Sequence, residues 1–261
     1  MADFVKRYNP NRSTDWNYGG AKWRLSRSKI ELFVECPRCF YLDNKLGTAR
    51  PRGPEFNLNK AVEALFKKEF DVHRKDGSPH PLMKTYGIDA VPFSHPKIDT
   101  WRENFEGVEF KHEATGFTVS GAVDDIWVNP AGELTVVDYK STSKPGSITK
   151  LGDSSWDAQY QRQMGVYQWL LRNNGFKVSS LGYLVYANAH DDKKAFDAKL
   201  EFEVTIVPCD GEADWIDDIL PRIKEVLESD MYPASGKACE YCAYREASGK
   251  KLLDIHNKHK K

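Results

Sequence analysis

Two pairs of cysteines, each with two residues between its members, lie near opposite ends of this chain of 261 residues. The first pair is Cys36 and Cys39, and the second is Cys239 and Cys242. Two such pairs rarely arise from ordinary buried thiols and are typical of metal ligation, so we expect the four sulfurs to meet at one metal site. That site would clip an N-terminal helix to the C-terminal segment. The fifth cysteine, Cys209, is expected to take no part.

The composition is that of a globular protein with a sizeable core, because 40% of the residues are hydrophobic. The 38 basic and 38 acidic side chains cancel, so the net charge points to neither a nucleic acid nor a membrane, and any basic site must be a local patch. The chain lacks a membrane-spanning apolar run and a secretory signal, which predicts a cytoplasmic protein without a membrane partner. It also lacks a Walker loop, so no helicase activity is expected within it.

Hydrophobic periodicity predicts helices alternating with strands. We expect helices around residues 30–40, 57–70, 156–172 and 212–229, and a long connection over 73–100. Between the second and third helix the period changes to two residues, which predicts an antiparallel meander of four strands, and two further strands follow at 181–187 and 200–207. This order predicts an α/β (mixed α+β) fold. The expected organisation is an irregular arm at 1–24, one domain at 25–246 and a basic tail at 247–261.

Two acids and a lysine stand at the ends of neighbouring predicted strands. Asp124 lies on one strand, and Asp138 and Lys140 share one face of the next, because they are two residues apart. Since a hairpin joins the two strands, both acids can meet at one end of the pair. Asp138 follows the apolar run 134–137, where a charge is costly unless it has a partner or a metal. Carboxylates suit Mg²⁺, and a nearby lysine can orient an attacking water, so these are the parts of a phosphodiesterase. The alternative is an ordinary salt bridge at the rim of the sheet.

These residues, read with their flanks, resemble the PD-(D/E)XK nuclease superfamily and in particular its RecB-like branch. The matching features, in chain order, are the helix that ends at Cys36-Pro37, Glu63, Asp124, the Asp138-Tyr139-Lys140 strand, Gln163 with Tyr167, and Cys239 with Cys242. The resemblance implies a restriction-endonuclease-like core, in which a central mixed sheet is flanked by helices, with the four-cysteine metal clip joining the N- and C-terminal segments. It also implies a Mg²⁺- or Mn²⁺-dependent deoxyribonuclease that leaves 5′-phosphate and 3′-hydroxyl ends.

The resemblance implies a role for each matching residue. Asp124 and Asp138 would ligate Mg²⁺ or Mn²⁺ together with the carbonyl of Tyr139, and Lys140 would position the attacking water. Glu63 takes the place usually held by a histidine in this branch and would bind the metal directly or through water; the alternative is a solvated helix acid. Gln163 and Tyr167 would grip the DNA strand near the cut, although Tyr167 could instead pack in the core.

The cysteine ligands suit either Zn²⁺ or a [4Fe–4S] cluster, and the ligand set does not choose between them. The resemblance to nucleases of CRISPR adaptation and of recombination helicases slightly favours iron–sulfur, although no third cysteine follows Cys242 as it does in those proteins. The implied partners are DNA and a helicase or a CRISPR integrase complex. The alternative function is a non-catalytic nucleic-acid-binding or scaffolding member of the same fold.

Overall fold

The protein is described here by a computed structural model that covers residues 12–51 and 53–259. These residues form two compact units. The first comprises the described residues up to 54, residues 113–117 and those from 217 onward; the second comprises residues 55–112 and 118–216. In the described residues no helix is long and apolar enough to cross a membrane.

The described residues form eight α-helices and eight strands. The α-helices are α1 (Arg27–Glu35), α2 (Pro37–Asn44), α3 (Asn57–Asp76), α4 (Pro81–Thr85), α5 (Ile98–Arg102), α6 (Ser155–Asn173), α7 (Trp215–Glu228) and α8 (Glu240–His259). The strands are β1 (Leu25–Ser26), β2 (Val91–Pro92), β3 (Val108–His112), β4 (Phe117–Gly121), β5 (Asp125–Val128), β6 (Leu134–Thr142), β7 (Leu181–Ala189) and β8 (Phe202–Asp210). The predicted mixed α+β fold is confirmed.

The main sheet of the second unit has five strands in the order β2-β5-β6-β7-β8. β6 and β7 run parallel, whereas the other neighbours are antiparallel, so the predicted central mixed sheet is confirmed. The prediction of one four-stranded meander was wrong, because β4 is a neighbour of β3 in a different sheet. A two-residue period identifies strands but does not say which strands pair, and the chain changes sheets at residues 122–124.

Helices α3 and α6 cover opposite faces of the main sheet at β6. Tyr139 stacks on Phe66 of α3 at a centroid distance of 5.1 Å, whereas Asp138 bonds to Gln163 of α6. Successive residues of a strand face opposite ways, so this arrangement is the expected consequence of the Asp138-Tyr139-Lys140 sequence. Phe66 and Phe70 of α3 are buried, whereas Leu58 and Leu65 of the same helix are exposed.

The stretch that was predicted as a long connection contains regular structure. α3 extends to Asp76, and α4, β2 and the start of α5 follow before residue 100. Elements of two to five residues are too short to show a period, so periodicity could not reveal them. A further unpredicted stretch of helix lies at the C-terminal end, where α8 continues through residues 247–259 and a basic tail was expected.

The described part of the N-terminal arm packs within the first unit. A 3₁₀ turn at Thr14–Trp16 leads to Tyr18 and Trp23, whose rings meet edge to face at 5.1 Å. Both rings also contact Phe117, which belongs to the same unit. The predicted irregular arm at 1–24 is described only from residue 12, and its earlier part lies outside the described residues.

Candidate active site and cysteine cluster

Asp138 and Lys140 form a buried ion pair on the face of β6 that α6 covers. The Asp138 side chain is 2% exposed, and Lys140 Nζ contacts its Oδ2. Gln163 bridges the two, because its Nε2 donates to Asp138 Oδ1 at 2.8 Å and its Oε1 lies 3.5 Å from Lys140 Nζ. One amide thus presents its donor to the acid and its acceptor to the lysine, which fixes both side chains.

The surroundings of Lys140 keep it charged. Burial opposes the charge, but the carboxylates of Asp138 and Asp124 outweigh burial and raise the pKa of Lys140 above its ordinary value. The ring of Tyr160 adds a cation–π contact, with its centroid 4.8 Å from Nζ. Lys140 is therefore an ammonium group at neutral pH, which can donate hydrogen bonds but cannot act as a general base in this state.

Asp124 is fixed to the same strand by the backbone. Its Oδ2 accepts a hydrogen bond from the N–H of Tyr139 at 3.0 Å, so the residue between Asp138 and Lys140 holds the second acid in place. The predicted meeting of Asp124 with Asp138 at one end of the β5–β6 pair is therefore present as geometry. The roles of both acids stay predictions.

Lys67 of α3 is a site residue that the sequence reasoning missed. Its Nζ lies 2.6 Å from Glu63 Oε1 and 3.5 Å from Asp124 Oδ1, so one ammonium links the two acids. Burial opposes its charge, but Asp124 and Glu63 outweigh burial and raise the pKa of Lys67. The i, i+4 spacing of Glu63 and Lys67 was the available signal, because such residues meet on a helix surface.

A second buried acid, Asp125, supports the site from the face that α3 covers. Asp125 is fully buried, its Oδ1 accepts from Arg74 and from Arg102, and its Oδ2 accepts from the hydroxyl of Tyr139 at 2.6 Å. Two guanidinium groups and a hydroxyl satisfy this carboxylate, as a buried charge requires. The network fixes the side chain of Tyr139, whose neighbours in sequence are the two site residues of β6.

Gln163 and Tyr167 lie behind the acids, where both side chains are buried. Gln163 Nε2 lies 3.1 Å from the hydroxyl of Tyr167. The Tyr167 ring fills the space beside Gly121, where an added Cβ would lie 2.8 Å from ring carbon Cε1. These contacts position Asp138. Contact of either residue with DNA stays a prediction.

The acids of this site offer the oxygen ligands of a hard divalent cation, but they are not gathered into a ready metal site: among the described residues, the four cysteines are the group of three or more potential ligands that lie close together. Three carboxylates, those of Glu63, Asp124 and Asp138, are accompanied by the ammonium groups of Lys67 and Lys140, which leaves one formal negative charge. Carboxylate oxygens are the ligands that Mg²⁺ and Mn²⁺ prefer. Binding of the cation by the carbonyl of Tyr139 stays a prediction.

The four cysteines of the two pairs meet in the first unit. Their ligand atoms all lie within 4.8 Å of one another, and three of the sulfur–sulfur separations are 3.6 Å: Cys36 to Cys242, Cys39 to Cys239 and Cys39 to Cys242. All four residues are buried or nearly so. Cys209 is outside the group, as predicted. The expected four-cysteine cluster is confirmed as a site that could hold a metal.

Backbone donors favour the thiolate form of Cys36, whereas burial raises the pKa of Cys39 and of Cys242. The backbone N–H groups of Gly236 and Cys39 point at Cys36 Sγ, at 3.2 and 3.5 Å. Burial opposes ionisation of Cys36, but these two N–H groups and the neighbouring cysteines lower its pKa to about 6. Gly236 is required for this approach, since an added Cβ would lie 2.1 Å from the carbonyl oxygen of Glu35.

Two arginines add positive charge at the other pair of cysteines. Arg50 Nη2 lies 3.4 Å from Cys239 Sγ, and Arg245 Nη2 lies 3.3 Å from Cys242 Sγ. Four thiolates around a divalent ion carry a net charge of about −2, which these guanidinium groups offset. The donor set therefore fits a thiolate-bound metal.

Comparison with known proteins identifies the family. No curated protein matches the chain. One solved structure, the crystal structure of SSO0001, is 13% identical, covers 78% of this chain and 74% of that chain, and has a TM-score of 0.40. The family model described as the PD-(D/E)XK nuclease superfamily matches residues 54–247, which include the acids, Lys140 and the second pair of cysteines. The chain therefore belongs to the PD-(D/E)XK nuclease superfamily.

Proposed function

We propose that this protein is a Mg²⁺- or Mn²⁺-dependent deoxyribonuclease that hydrolyses phosphodiester bonds to 5′-phosphate and 3′-hydroxyl ends. The observation that carries the proposal is the buried arrangement of Asp138, Lys140 and Gln163, with Asp124 tied to the backbone of Tyr139. Superfamily membership supports a metal-dependent nuclease in general. A buried acid held beside a charged lysine supports an intact catalytic site rather than a decayed one.

Each residue has a distinct part in the proposed reaction. Asp124 and Asp138 would hold the divalent cation, with Glu63 and the carbonyl of Tyr139 as further ligands. The cation, when bound, supplies Lewis-acid polarisation of the phosphate and lowers the pKa of bound water. Lys140, as an ammonium group, orients the attacking water and stabilises the negative charge that develops on the phosphate. Gln163 and Tyr167 keep Asp138 and Lys140 in place from behind, and contact of either residue with the DNA strand stays a prediction.

The test is cleavage of end-labelled single- and double-stranded DNA with Mg²⁺, with Mn²⁺ and with a chelator. We expect cleavage only with a divalent cation, and products that a ligase joins through the 5′-phosphate and a polymerase extends from the 3′-hydroxyl. Binding without cleavage under all of these conditions would overturn the proposal in favour of a non-catalytic nucleic-acid-binding or scaffolding protein. A helicase or a CRISPR integrase complex as a further partner stays a prediction from the resemblance.

Replacement of Lys67 by methionine is expected to tighten divalent metal binding about five- to tenfold. The ammonium of Lys67 lies between Glu63 and Asp124, where it competes with a metal for the same oxygens, and removing one positive charge at this distance favours the cation. The affinity of the protein for Mn²⁺ can be measured by calorimetric titration in the absence of DNA. The exposed neighbour Lys68 offers a matched control, Lys68→Met, which should leave the affinity unchanged. Weaker binding in Lys67→Met would contradict the competition.

We further propose that the cysteine cluster holds one Zn²⁺ ion rather than an iron–sulfur cluster. A tetrahedral ion with sulfurs at about 2.3 Å sets sulfur–sulfur distances of about 3.8 Å, close to the three separations of 3.6 Å. In a [4Fe–4S] cluster each cysteine binds a different iron, so the sulfurs are spread more widely than around one ion. The sulfur separations therefore support zinc, whereas the resemblance slightly favoured iron–sulfur.

Metal analysis of protein purified without oxygen decides between the two. We expect about one zinc per chain and a colourless protein. A brown protein that contains iron and acid-labile sulfide would overturn the zinc proposal. This measurement is independent of nuclease activity, so the two proposals of this section can fail separately.

A further inference from the structure

The second unit contains a cavity of about 610 Å³ that the proposed reaction does not use. Three segments line it: the N-terminal part of α3, residues 141–143 at the end of β6, and the β7–β8 connection. Two of its residues are chain neighbours of proposed site residues, since Ser141 follows Lys140 and Val62 precedes Glu63. Asn59 joins the first two segments, because its Nδ2 donates to the carbonyl of Ser141 at 2.7 Å. The cavity is therefore continuous with the elements that carry the site.

The lining combines apolar surfaces with hydroxyl groups. Leu58, Phe196 and Leu200 are exposed at the cavity, and Phe196 is 73% exposed. The hydroxyls belong to Ser141, Thr142 and Ser143. Ligand sites typically pair an apolar wall with a few polar groups that set orientation, in volumes of about 300–1,000 Å³. An exposed phenylalanine beside hydroxyl groups suits a flat ring with hydrogen-bonding edges.

The charges around the cavity do not suit a phosphate. Its lining includes three acids and two lysines, so the lysines are outnumbered: Asp191, Asp197 and Glu201 against Lys193 and Lys199. Lys193 is already paired with Glu201 at 2.8 Å. An anion would meet net repulsion here, whereas a neutral ring would not. The occupant that fits is an uncharged heterocycle whose charged group lies outside the cavity.

The backbone next to Phe196 adopts a conformation that non-glycine residues rarely take. Asp197 and Ala198 have φ angles of 44° and 55°, and among the described residues other than glycine they are the two with positive φ. For alanine this region costs about 1–2 kcal/mol, and such strain clusters at binding sites. The two residues turn the chain directly after Phe196, which places its ring at the cavity.

We propose that this cavity binds one unpaired base of the nucleic acid beside the bond that is cut, with Phe196 stacking on the base; this inference rests on the proposed nuclease function. A base is uncharged and flat, its edges can bond to the hydroxyls of Ser141 and Thr142, and its phosphate would lie outside the cavity. The hydroxyl of Ser143 already donates to the carbonyl of Ala189 at 3.1 Å. Paired bases cannot enter because they are stacked within the duplex. The protein therefore recognises substrates with an unpaired strand.

The affinity for labelled oligonucleotides, measured by fluorescence anisotropy in a chelator so that no cleavage occurs, tests the base site. For Phe196→Ala we expect affinity for a single strand and for a duplex with an overhang to fall about 5- to 150-fold, the range for loss of one stacked base. Affinity for a blunt duplex should change less than about twofold. Phe196→Trp should retain binding. Phe105→Ala is the matched control, because Phe105 is 85% exposed and does not line the cavity.

Two further comparisons make the outcome decisive. With a single strand that lacks its bases, wild type and Phe196→Ala should bind equally, because stacking needs a base. If Phe196→Ala loses affinity equally for blunt and single-stranded DNA, or loses none, the base site is overturned. Cleavage by the wild type would still support the proposed nuclease activity in that case. Base-dependent binding through Phe196 without any cleavage would instead overturn the nuclease proposal and keep the base site.

Discussion

Asp138→Asn is expected to lower the rate of metal-dependent DNA cleavage by at least about a thousandfold without unfolding the protein. Asparagine has nearly the same size, and its oxygen can still accept the hydrogen bond from Gln163. Its amide nitrogen, however, would face the ammonium of Lys140 in place of Oδ2, and the negative charge that holds both Lys140 and the metal is lost. The substitution therefore weakens both metal binding and the placement of Lys140.

The lysine itself gives a second variant with a close control. Lys140→Met removes the ammonium group from the site, and Lys144→Met makes the same substitution four residues later, at an exposed position after β6. We expect the first to lose cleavage and the second to retain it. Lys140 is an ammonium group at neutral pH, so it does not act as the base. A moderate rise in pH should therefore not restore cleavage by Lys140→Met. Restored cleavage would mean that Lys140 abstracts a proton and that another base replaces it at higher pH.

Three measurements separate a catalytic effect from a structural one. The melting temperature and the metal content of the cysteine cluster should stay near the wild-type values in Asp138→Asn, and DNA affinity in a chelator should stay within about threefold. If Asp138→Asn melts normally and still cuts at a rate close to wild type, Asp138 is not a metal ligand. In that case the ion pair with Lys140 is needed neither for cleavage nor for stability.

The placement of Asp124, Asp138 and Lys140 was predictable, because these residues are close in sequence or follow strand alternation. Asp138 and Lys140 are two residues apart on one strand, so their common face follows from the spacing alone. Asp124 could be placed with them because a hairpin joins their strands. The buried network around Asp125, which supports the site, was not predictable. Arg74 and Arg102 reach Asp125 from 51 and 23 residues away, and no local pattern encodes such a contact.

The fold divides along the same line. Long periodic elements such as α3 and α6 were predicted, since their period repeats over several turns, but the sheet that each strand joins was not. β4 and β5 are separated by only three residues and belong to different sheets, which periodicity alone does not reveal. The base cavity was missed because it depends on the backbone turn after Phe196, where neither Asp197 nor Ala198 is a residue that marks a positive φ in sequence as glycine does.

Cys36→Ser is expected to release the metal of the cysteine cluster and to lower the melting temperature by at least about 10 °C. Cys36 Sγ is the sulfur that two backbone N–H groups contact, and Cys36 also caps the first turn of α2. Structural zinc sites contribute about 10–16 kcal/mol in small peptides, so even partial dependence of the first unit on zinc gives a large effect. Hydrogen exchange should rise in α2 and α8, which carry the ligands or begin next to them.

Cys209 supplies the control for this substitution because it is a buried cysteine outside the cluster. Cys209→Ala removes a buried sulfur of the second unit and should cost about 1–2 kcal/mol, a shift of only a few degrees, with the metal content unchanged. If Cys36→Ser loses the metal but melts no lower than Cys209→Ala, the metal does not stabilise the fold. A metal that can be lost without unfolding would not be what joins the N- and C-terminal segments. The two segments would then be held together by the protein contacts around the cluster, such as the ion pair of Arg38 with Glu246.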